Sequence, residues 1–216
     1  TLVDNEKGLS KLKKYADKYG LTEKSGIELP ESKPQISDAD AIRTAIGQGT
    51  NNFTATQLAR YVTTLANSGT CYDLSLVSEI KDINGNVVYK NEHKVHNQLD
   101  FPAEQWNVVR QGMRQVVSVH TSSSALINQI NVAVAGKTGT AQQTGHANHG
   151  LFIGYAPYDD PEITIAVRIA NGYSSHNAAT AARNVISYYY GETKMSDLKE
   201  KKASGASGHT GNSVAD

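Results

Sequence analysis

Residues 135–142 read AGKTGTAQ, a combination of residues that stability alone would not select for a β-strand. Strand alternation places Lys137 and Gly139 on one face and Thr138 and Thr140 on the other. Lysine and glycine add little to a strand's stability. Gly139 permits close approach of another backbone, Lys137 supplies a cation, and the threonine hydroxyls can bind a carboxylate. The pattern favours an edge strand that binds an extended peptide, although a plain sheet edge can contain Lys-Thr-Gly by coincidence.

The strand that contains this segment is the first of three predicted consecutive strands, at residues 132–142, 151–155 and 163–169. The connections between them are short, and one contains Pro161 in a polar turn. Short connections join antiparallel neighbours, whereas parallel strands need a long crossover. The sequence therefore predicts an α+β fold in which an antiparallel sheet is flanked by helices.

Helices are predicted on both sides of these strands, because apolar residues recur there every three to four positions. The first covers residues 9–19, the third carries Trp106 on its apolar face, and the last ends before Gly191. The residues expected to stop or begin the four helices are, in chain order, Gly20, Thr54, Pro102 and Asn177. An Asn84-Gly85 turn between apolar runs predicts a hairpin within residues 76–89.

Composition excludes several classes of protein. Lys plus Arg and Asp plus Glu number 21 each, and the lysines near residues 11–18 are expected to form a solvated face, so no nucleic-acid partner is predicted. No apolar run is long enough to span a bilayer. The single cysteine, Cys71, excludes a disulfide within the chain and is expected to be half-buried in a turn.

The last part of the chain is poor in apolar residues and rich in Lys, Glu, Ser, Gly and Ala. Such a composition cannot build a packed core, so residues 194–216 are predicted to be a disordered low-complexity tail. Residues 1–193 are predicted to form the folded portion. Because the chain begins without Met, we expect it to be a fragment whose anchoring segment, if present, lies upstream.

Four blocks of sequence together resemble one known family. Residues 26–30 read GIELP, residues 46–59 read IGQGTNNFTATQLA, residues 136–142 read GKTGTAQ, and residues 149–157 read HGLFIGYAP. In this order and spacing the chain resembles the C-terminal part of the transpeptidase domain of class B penicillin-binding proteins, most closely the elongation type. The resemblance implies an incomplete penicillin-binding/serine β-lactamase-like fold. A division- or sporulation-type transpeptidase is the alternative within the family.

The resemblance also implies a chemistry: a serine D,D-transpeptidase that cross-links peptidoglycan stem peptides and is acylated by β-lactams. Lys137 would add positive potential and orient the serine of a Ser-x-Asn element. Thr138 and Thr140 would bind the substrate carboxylate beside Gly139, and the Thr140 N–H would be an oxyanion-hole donor. No cofactor is implied. The expected partners are stem peptides, β-lactams, the upstream half of the same domain and cell-wall elongation proteins, at the outer face of the bacterial cell membrane.

The catalytic Ser-x-x-Lys and Ser-x-Asn elements of the family are expected upstream of this chain. A Ser-x-x-Lys sequence does begin at Ser10, but Ser10 points away from the apolar stripe of its helix and Lys13 lies at its margin. We therefore expect this chain alone to be inactive. The alternative from another class is a non-catalytic module that binds peptidoglycan or has a structural role.

Two further features are expected to be structural. The Gly47-Gln48-Gly49 segment lacks the lysine and the strand–helix context of a phosphate loop, and is expected to form a tight turn packed beside the site. His146 and His149 have no accompanying carboxylate that would suggest a metal site. Both histidines are expected to be exposed in a hairpin loop.

Overall fold

The computed structural model describes residues 4–119, 124–143 and 145–200. The helices, in chain order, are α1 (Asn5–Lys18), α2 (Ala41–Ala45), α3 (Ala55–Ala66), α4 (Ala103–Ser118), α5 (Ser175–Tyr189) and α6 (Met195–Glu200), with a 3₁₀ helix at Ala125–Gln129. The strands are β1 (Thr70–Tyr72), β2 (Glu79–Lys81), β3 (Val87–Lys90), β4 (Val95–Gln98), β5 (Ala135–Gln143), β6 (His146–Ala156) and β7 (Ile163–Ile169).

The main sheet has three antiparallel strands in the order β5-β6-β7, as the sequence predicts. Thr140 lies opposite Gly150, which lies opposite Ile169. The first strand begins at Ala135, later than predicted, because its partner β6 ends at Ala156 and is followed by Pro157, which has no N–H to continue the ladder. The predicted α+β class with an antiparallel sheet flanked by helices is confirmed.

The two faces of this sheet are covered by different helices. On one face Phe152 packs with buried residues of α5, among them Ala178 and Ile186. On the other face Tyr155 packs with α3 and α4, including Trp106. All these side chains except Trp106 are fully buried, and Trp106 is 5% exposed. Since burying one large apolar side chain contributes about 1.5–3 kcal/mol, both layers are needed to hold the sheet.

The predicted helix starts are confirmed for α3 and α4 and corrected for α5. Thr54 forms a capping box with Gln57 at the start of α3, and Pro102 precedes α4. The residue that caps α5 is Ser174, whose hydroxyl accepts from the His176 N–H, and not Asn177. Ser174 has the extended backbone that a cap needs, and the helix therefore begins before Asn177.

Helix α1 is amphipathic as predicted, but none of its residues is buried. Beyond its end, Tyr19 packs edge-on against Tyr61 and Trp106, and Gly20 adopts a left-handed backbone with φ of 69°. Tyr15 remains 48% exposed. The short helix α2, capped by the side chain of Asp40, was not predicted because five residues show no measurable periodicity.

Two small sheets lie outside the main one. Strands β2 and β3 form the predicted hairpin, in which Ile80 faces Tyr89. Strands β1 and β4 pair with each other, and Cys71 at the centre of β1 is fully buried. The prediction of a half-buried cysteine in a turn is therefore wrong, because the pairing of β1 with β4 places the thiol under α3.

The segment predicted to be disordered contains helix α6, which corrects that prediction for its residues. The Asp197 carboxylate accepts a hydrogen bond from the Lys194 N–H and so stabilises the first turn. Residues 201–216 of the predicted tail lie outside the described residues. Across the part of the chain that the structure describes, no helix combines the length and the apolar character needed to cross a bilayer.

Candidate active site on the edge strand

Strand β5 is an edge of the main sheet, since among the described residues it pairs only with β6. Lys137 lies opposite Ile153, which packs with the α3–α4 core. Thr138 lies opposite Phe152, which packs with the α5 core. Directly opposed residues of an antiparallel pair share a face. The predicted separation of Lys137 from the two threonines onto opposite faces is confirmed.

The backbone direction of β5 follows from a hydrogen bond on the far side of β6. The Ala156 carbonyl accepts from the Glu162 N–H at 2.9 Å, on the β7 side. In an antiparallel ladder the N–H and C=O of one residue point to the same side, and alternate residues point to opposite sides. The alternate residues of β6 that share the orientation of Ala156 are 154, 152 and 150, and they lie opposite Gly136, Thr138 and Thr140 of β5. Their backbone groups therefore turn away from β6, toward the open edge.

Side-chain donors reach two of these outward carbonyls. Lys137, whose side chain is exposed, donates from Nζ to the Thr138 oxygen at 2.7 Å. Gln48 donates from Nε2 to the Thr140 oxygen at 3.3 Å. No ion pair of Lys137 is present among the described residues. The edge thus presents a cation and a row of backbone groups within one short segment.

The glycine at position 139 is not required by the packing of the fold. A Cβ there would lie 3.4 Å from the Leu151 Cβ, an ordinary contact, and the backbone has no positive φ. At Gly136, by contrast, a Cβ would overlap the Phe152 ring and lie 2.7 Å from the Ile153 carbonyl oxygen. At Gly150 it would overlap the Ser174 carbonyl oxygen. The absence of a side chain at Gly139 therefore leaves space on the face of β5 that carries Lys137, and the packing of the core does not need that space.

Gln48 was not among the site residues predicted from the sequence, although its segment was expected to pack beside the site. The tight turn is confirmed, because Gly47 and Gly49 have φ of 81° and 97°. The two glycines that flank Gln48 were the available signal. They show that the turn needs left-handed backbone, but they do not show which strand the glutamine side chain reaches.

A partly buried carboxylate, that of Glu31, fixes the segment that precedes this turn. Glu31 accepts from Thr54 Oγ1 and from the Ser25 N–H, each at 2.6 Å, and also from the Thr56 hydroxyl. Burial acts to raise the pKa of Glu31, but the hydrogen bonds from Thr54, Thr56 and Ser25 outweigh it and hold that pKa below its usual value. The GIELP block is thus joined to the start of α3.

Arg60 of α3 binds the backbone of residues 20–25, which lead into this segment. Its side chain is fully buried, and it donates to the carbonyls of Gly20, Glu23 and Ser25. It also lies 3.6 Å from the Asp73 carboxylate. A buried guanidinium needs such partners, because an unpaired charge in the interior costs several kcal/mol. This cation anchors residues 20–25 to α3.

The prediction that both histidines are exposed is wrong for His149 and correct for His146. His149 is 9% exposed, with Nε2 3.1 Å from the Arg168 guanidinium, and its Nδ1 accepts from the Asn171 N–H at 3.1 Å. Strand pairing with β7 brings these partners to the imidazole, which then holds the turn between β7 and α5. The described residues contain no His, Cys, Asp or Glu group arranged to bind a metal ion.

Ser10 and Lys13, the chance Ser-x-x-Lys pair, lie on the exposed side of α1. Both line an open cleft of about 490 Å³ together with residues 34–38. The lining of this cleft includes no residue of β5. This cleft therefore does not connect the pair to the edge strand that carries Lys137.

Comparison with known proteins agrees with this geometry. The family model of the penicillin binding protein transpeptidase domain matches residues 2–187. Penicillin-binding protein 2B of Streptococcus pneumoniae serotype 2 is 31% identical over 203 residues, which cover 85% of this chain and 30% of that protein. The solved structure of penicillin-binding protein 2B from Streptococcus pneumoniae strain R6 superposes on this chain with a TM-score of 0.74 at 28% identity. The superposition covers 88% of this chain and 34% of that one.

Two further proteins extend the comparison. Peptidoglycan D,D-transpeptidase MrdA of Acinetobacter baumannii is 26% identical over 230 residues, covering 92% of this chain and 34% of the relative. Penicillin-binding protein 2 of Helicobacter pylori, solved in complex with MreC, shares the fold with a TM-score of 0.69 at 23% identity, covering 86% and 37% of the two chains. This chain thus spans about a third of the length of these proteins. Because the family model covers most of its residues, the chain belongs to the penicillin-binding protein transpeptidase family, within class B.

Proposed function

We propose that this chain supplies the substrate-binding edge strand of a peptidoglycan D,D-transpeptidase that is acylated by β-lactams. The observation that carries the proposal is the free edge of β5, where the outward backbone groups belong to Thr138 and Thr140 and where Gly139 is not required by packing. An extended peptide that adds to such an edge pairs with these backbone groups. The membership of the transpeptidase family supports that peptide as the substrate.

The roles of the residues follow from their positions on the strand. The Thr140 N–H, turned to the open edge, would donate to the oxyanion that forms when a serine hydroxyl attacks the scissile carbonyl. The Thr138 and Thr140 side chains would bind the terminal carboxylate. Lys137 is exposed and has no anionic partner among the described residues, so its charge is available to orient a serine and to stabilise the anionic substrate.

The nucleophile is proposed to come from a Ser-x-x-Lys element outside this chain, because Ser10 is exposed on α1 and the cleft that it lines includes no residue of the edge strand. On the same grounds this chain alone is proposed to be inactive. The elongation subtype, an association with cell-wall elongation proteins and a position at the outer face of the cell membrane complete the proposal. They are supported by the family and by the resemblance of sequence blocks such as residues 26–30.

Fluorescent penicillin labelling tests this function. The full-length gene product should be labelled covalently with one equivalent, and the isolated 216-residue chain should not be labelled. In the full-length protein Lys137→Ala should slow acylation by roughly a hundredfold, the scale of one lost electrostatic contact, with an unchanged melting temperature. Lys137→Arg keeps the charge and should recover part of the rate. Absence of labelling in the full-length protein would indicate a non-catalytic peptidoglycan-binding module instead.

A further inference from the structure

We propose that Gln48 is a positioning residue, which holds the open edge of β5 at Thr140 in the orientation that binds substrate. The contact joins segments 92 residues apart in the sequence. Its effect on the reaction rests on the proposed transpeptidase function, whereas its effect on the strand does not. Gln48 itself is not proposed to touch the reacting atoms.

The hydrogen bond from Gln48 meets β5 close to the end of its regular pairing with β6. The regular ladder between β5 and β6 ends at Ala141, one residue beyond Thr140, because the register shifts between Ala141 and Gln143. The Thr140 carbonyl points outward, so β6 cannot hold it. An edge strand that loses its ladder at one end is free to fray there. The Gln48 amide is the one side-chain donor that reaches this carbonyl among the described residues.

Gln48 itself is held rigidly enough to act as a fixed donor. Its N–H donates to the Arg43 carbonyl at 2.9 Å, and its carbonyl accepts from Asn51 Nδ2 at 3.4 Å. A Cβ at Gly49 would lie 2.9 Å from the Ser37 hydroxyl, so the turn is packed closely against the preceding segment. Because the backbone is fixed on both sides, the side chain spans a short and defined distance to the strand.

Holding the carbonyl also holds the N–H of the same residue, because both point to one side of a strand. That N–H is the proposed oxyanion donor. Such a donor acts only when it is placed within hydrogen-bonding distance of the developing charge, and small displacements are costly in rate. Gln48 would therefore influence acylation without contacting the substrate.

The first readout concerns the strand and uses the 216-residue chain as it is. The amide proton of Ala141 faces β6, and its exchange with solvent reports fraying of this end of β5. In Gln48→Ala its exchange should rise about fivefold, equivalent to about 1 kcal/mol, the net value of one hydrogen bond. Gln111→Ala, at an exposed glutamine of α4, is the matched control and should leave Ala141 exchange unchanged.

The second readout concerns the reaction and uses the full-length protein. Gln48→Ala should lower the rate of acylation by a penicillin about fivefold to tenfold without changing the melting temperature. Gln48→Glu should be slow at pH 8, where a carboxylate cannot donate. It should recover in part at pH 5, because a glutamic acid with pKa of about 4.3 becomes partly protonated and can donate an O–H to the Thr140 carbonyl. A purely structural defect would not show this recovery.

The outcomes separate the inference from the proposed function. If Ala141 exchange is the same in Gln48→Ala as in Gln111→Ala, the contact does not hold the strand and the inference is wrong. If exchange rises but acylation and its pH dependence match the wild type, Gln48 has no positioning role and the inference is equally wrong. If the unmodified full-length protein is not acylated, the proposed function fails, while Ala141 exchange still decides whether Gln48 holds the edge.

Discussion

Replacing Gly139 with alanine should separate substrate binding from folding. The new Cβ would lie 3.4 Å from the Leu151 Cβ and 3.9 Å from its Cδ1, so no atom of the chain has to move far. Alanine is favoured over glycine in a strand by about 0.5–1 kcal/mol. The free energy of unfolding should therefore stay the same or rise by up to about 1 kcal/mol. The methyl group would project on the face that carries Lys137, into the space assigned to the bound peptide.

The effect of Gly139→Ala on ligand binding can be estimated from the size of the added methyl group. An extra methyl group in a closely packed interface costs about 1–3 kcal/mol, which slows acylation by roughly 5- to 150-fold. Gly136→Ala is the matched control, because its Cβ would overlap Phe152 and lie 2.7 Å from the backbone oxygen of Ile153. It should lower the free energy of unfolding by about 1–3 kcal/mol or more.

Urea denaturation of the 216-residue chain and penicillin acylation of the full-length protein measure the two effects. Gly139→Ala should change the acylation rate and spare stability, and Gly136→Ala should reduce stability. If Gly139→Ala unfolds as readily as Gly136→Ala, the glycine is required by the fold. If it is acylated at the wild-type rate, the open face at position 139 is not where the ligand lies. Either result would refute the assignment of the site.

Two further changes test the segment that leads to the site. Glu31→Gln should lower the free energy of unfolding at pH 7 by about 2 kcal/mol, since the amide nitrogen that replaces one carboxylate oxygen cannot accept the hydrogen bonds made to that oxygen. The pKa of Glu31 is lower in the folded state than in the unfolded state. The stabilisation from its carboxylate is therefore fully present above the unfolded pKa of about 4.3 and is lost as the pH falls through the folded pKa. The free energies of unfolding of the wild type and of Glu31→Gln, measured with urea, should accordingly converge in acid. Arg60→Met should cost about 3–5 kcal/mol in the same assay, because Asp73 and three backbone carbonyls lose a buried partner. The exposed Arg43→Met control should cost less than about 1 kcal/mol, and equal losses for the two arginines would contradict the anchoring role of Arg60.

Much of the fold could be predicted because its signals are local. The short apolar runs of β6 and β7 and the short turns between strands require no knowledge of distant parts of the chain. The same holds for the Thr54 cap of α3 and for the Asn84-Gly85 hairpin. The faces of β5 also follow from alternation alone, so the separation of Lys137 from its threonine neighbours depends on no tertiary contact.

Local signals were insufficient where two residues could cap the same helix, and where the pairing of distant strands determined whether a side chain is buried. Ser174 and Asn177 are both good capping residues, and the choice depends on the path of the chain after β7. His149 belongs to a polar stretch that is typical of a loop, but pairing with β7 buries it beside Arg168. Cys71 follows a turn, and its burial results from the pairing of β1 with β4.

The sequence by itself determined the family blocks, the order of the elements and the strand that carries Lys-Thr-Gly, because each of these depends on residues close together in the chain. Only the tertiary structure decided which backbone groups of that strand face the open edge and which side chains reach them. It also showed that Gly139, unlike Gly136, is free of the core. The contact between Gln48 and Thr140 has no local signature, because only the folding of α3 and α4 against the sheet brings the α2–α3 connection to the edge of β5.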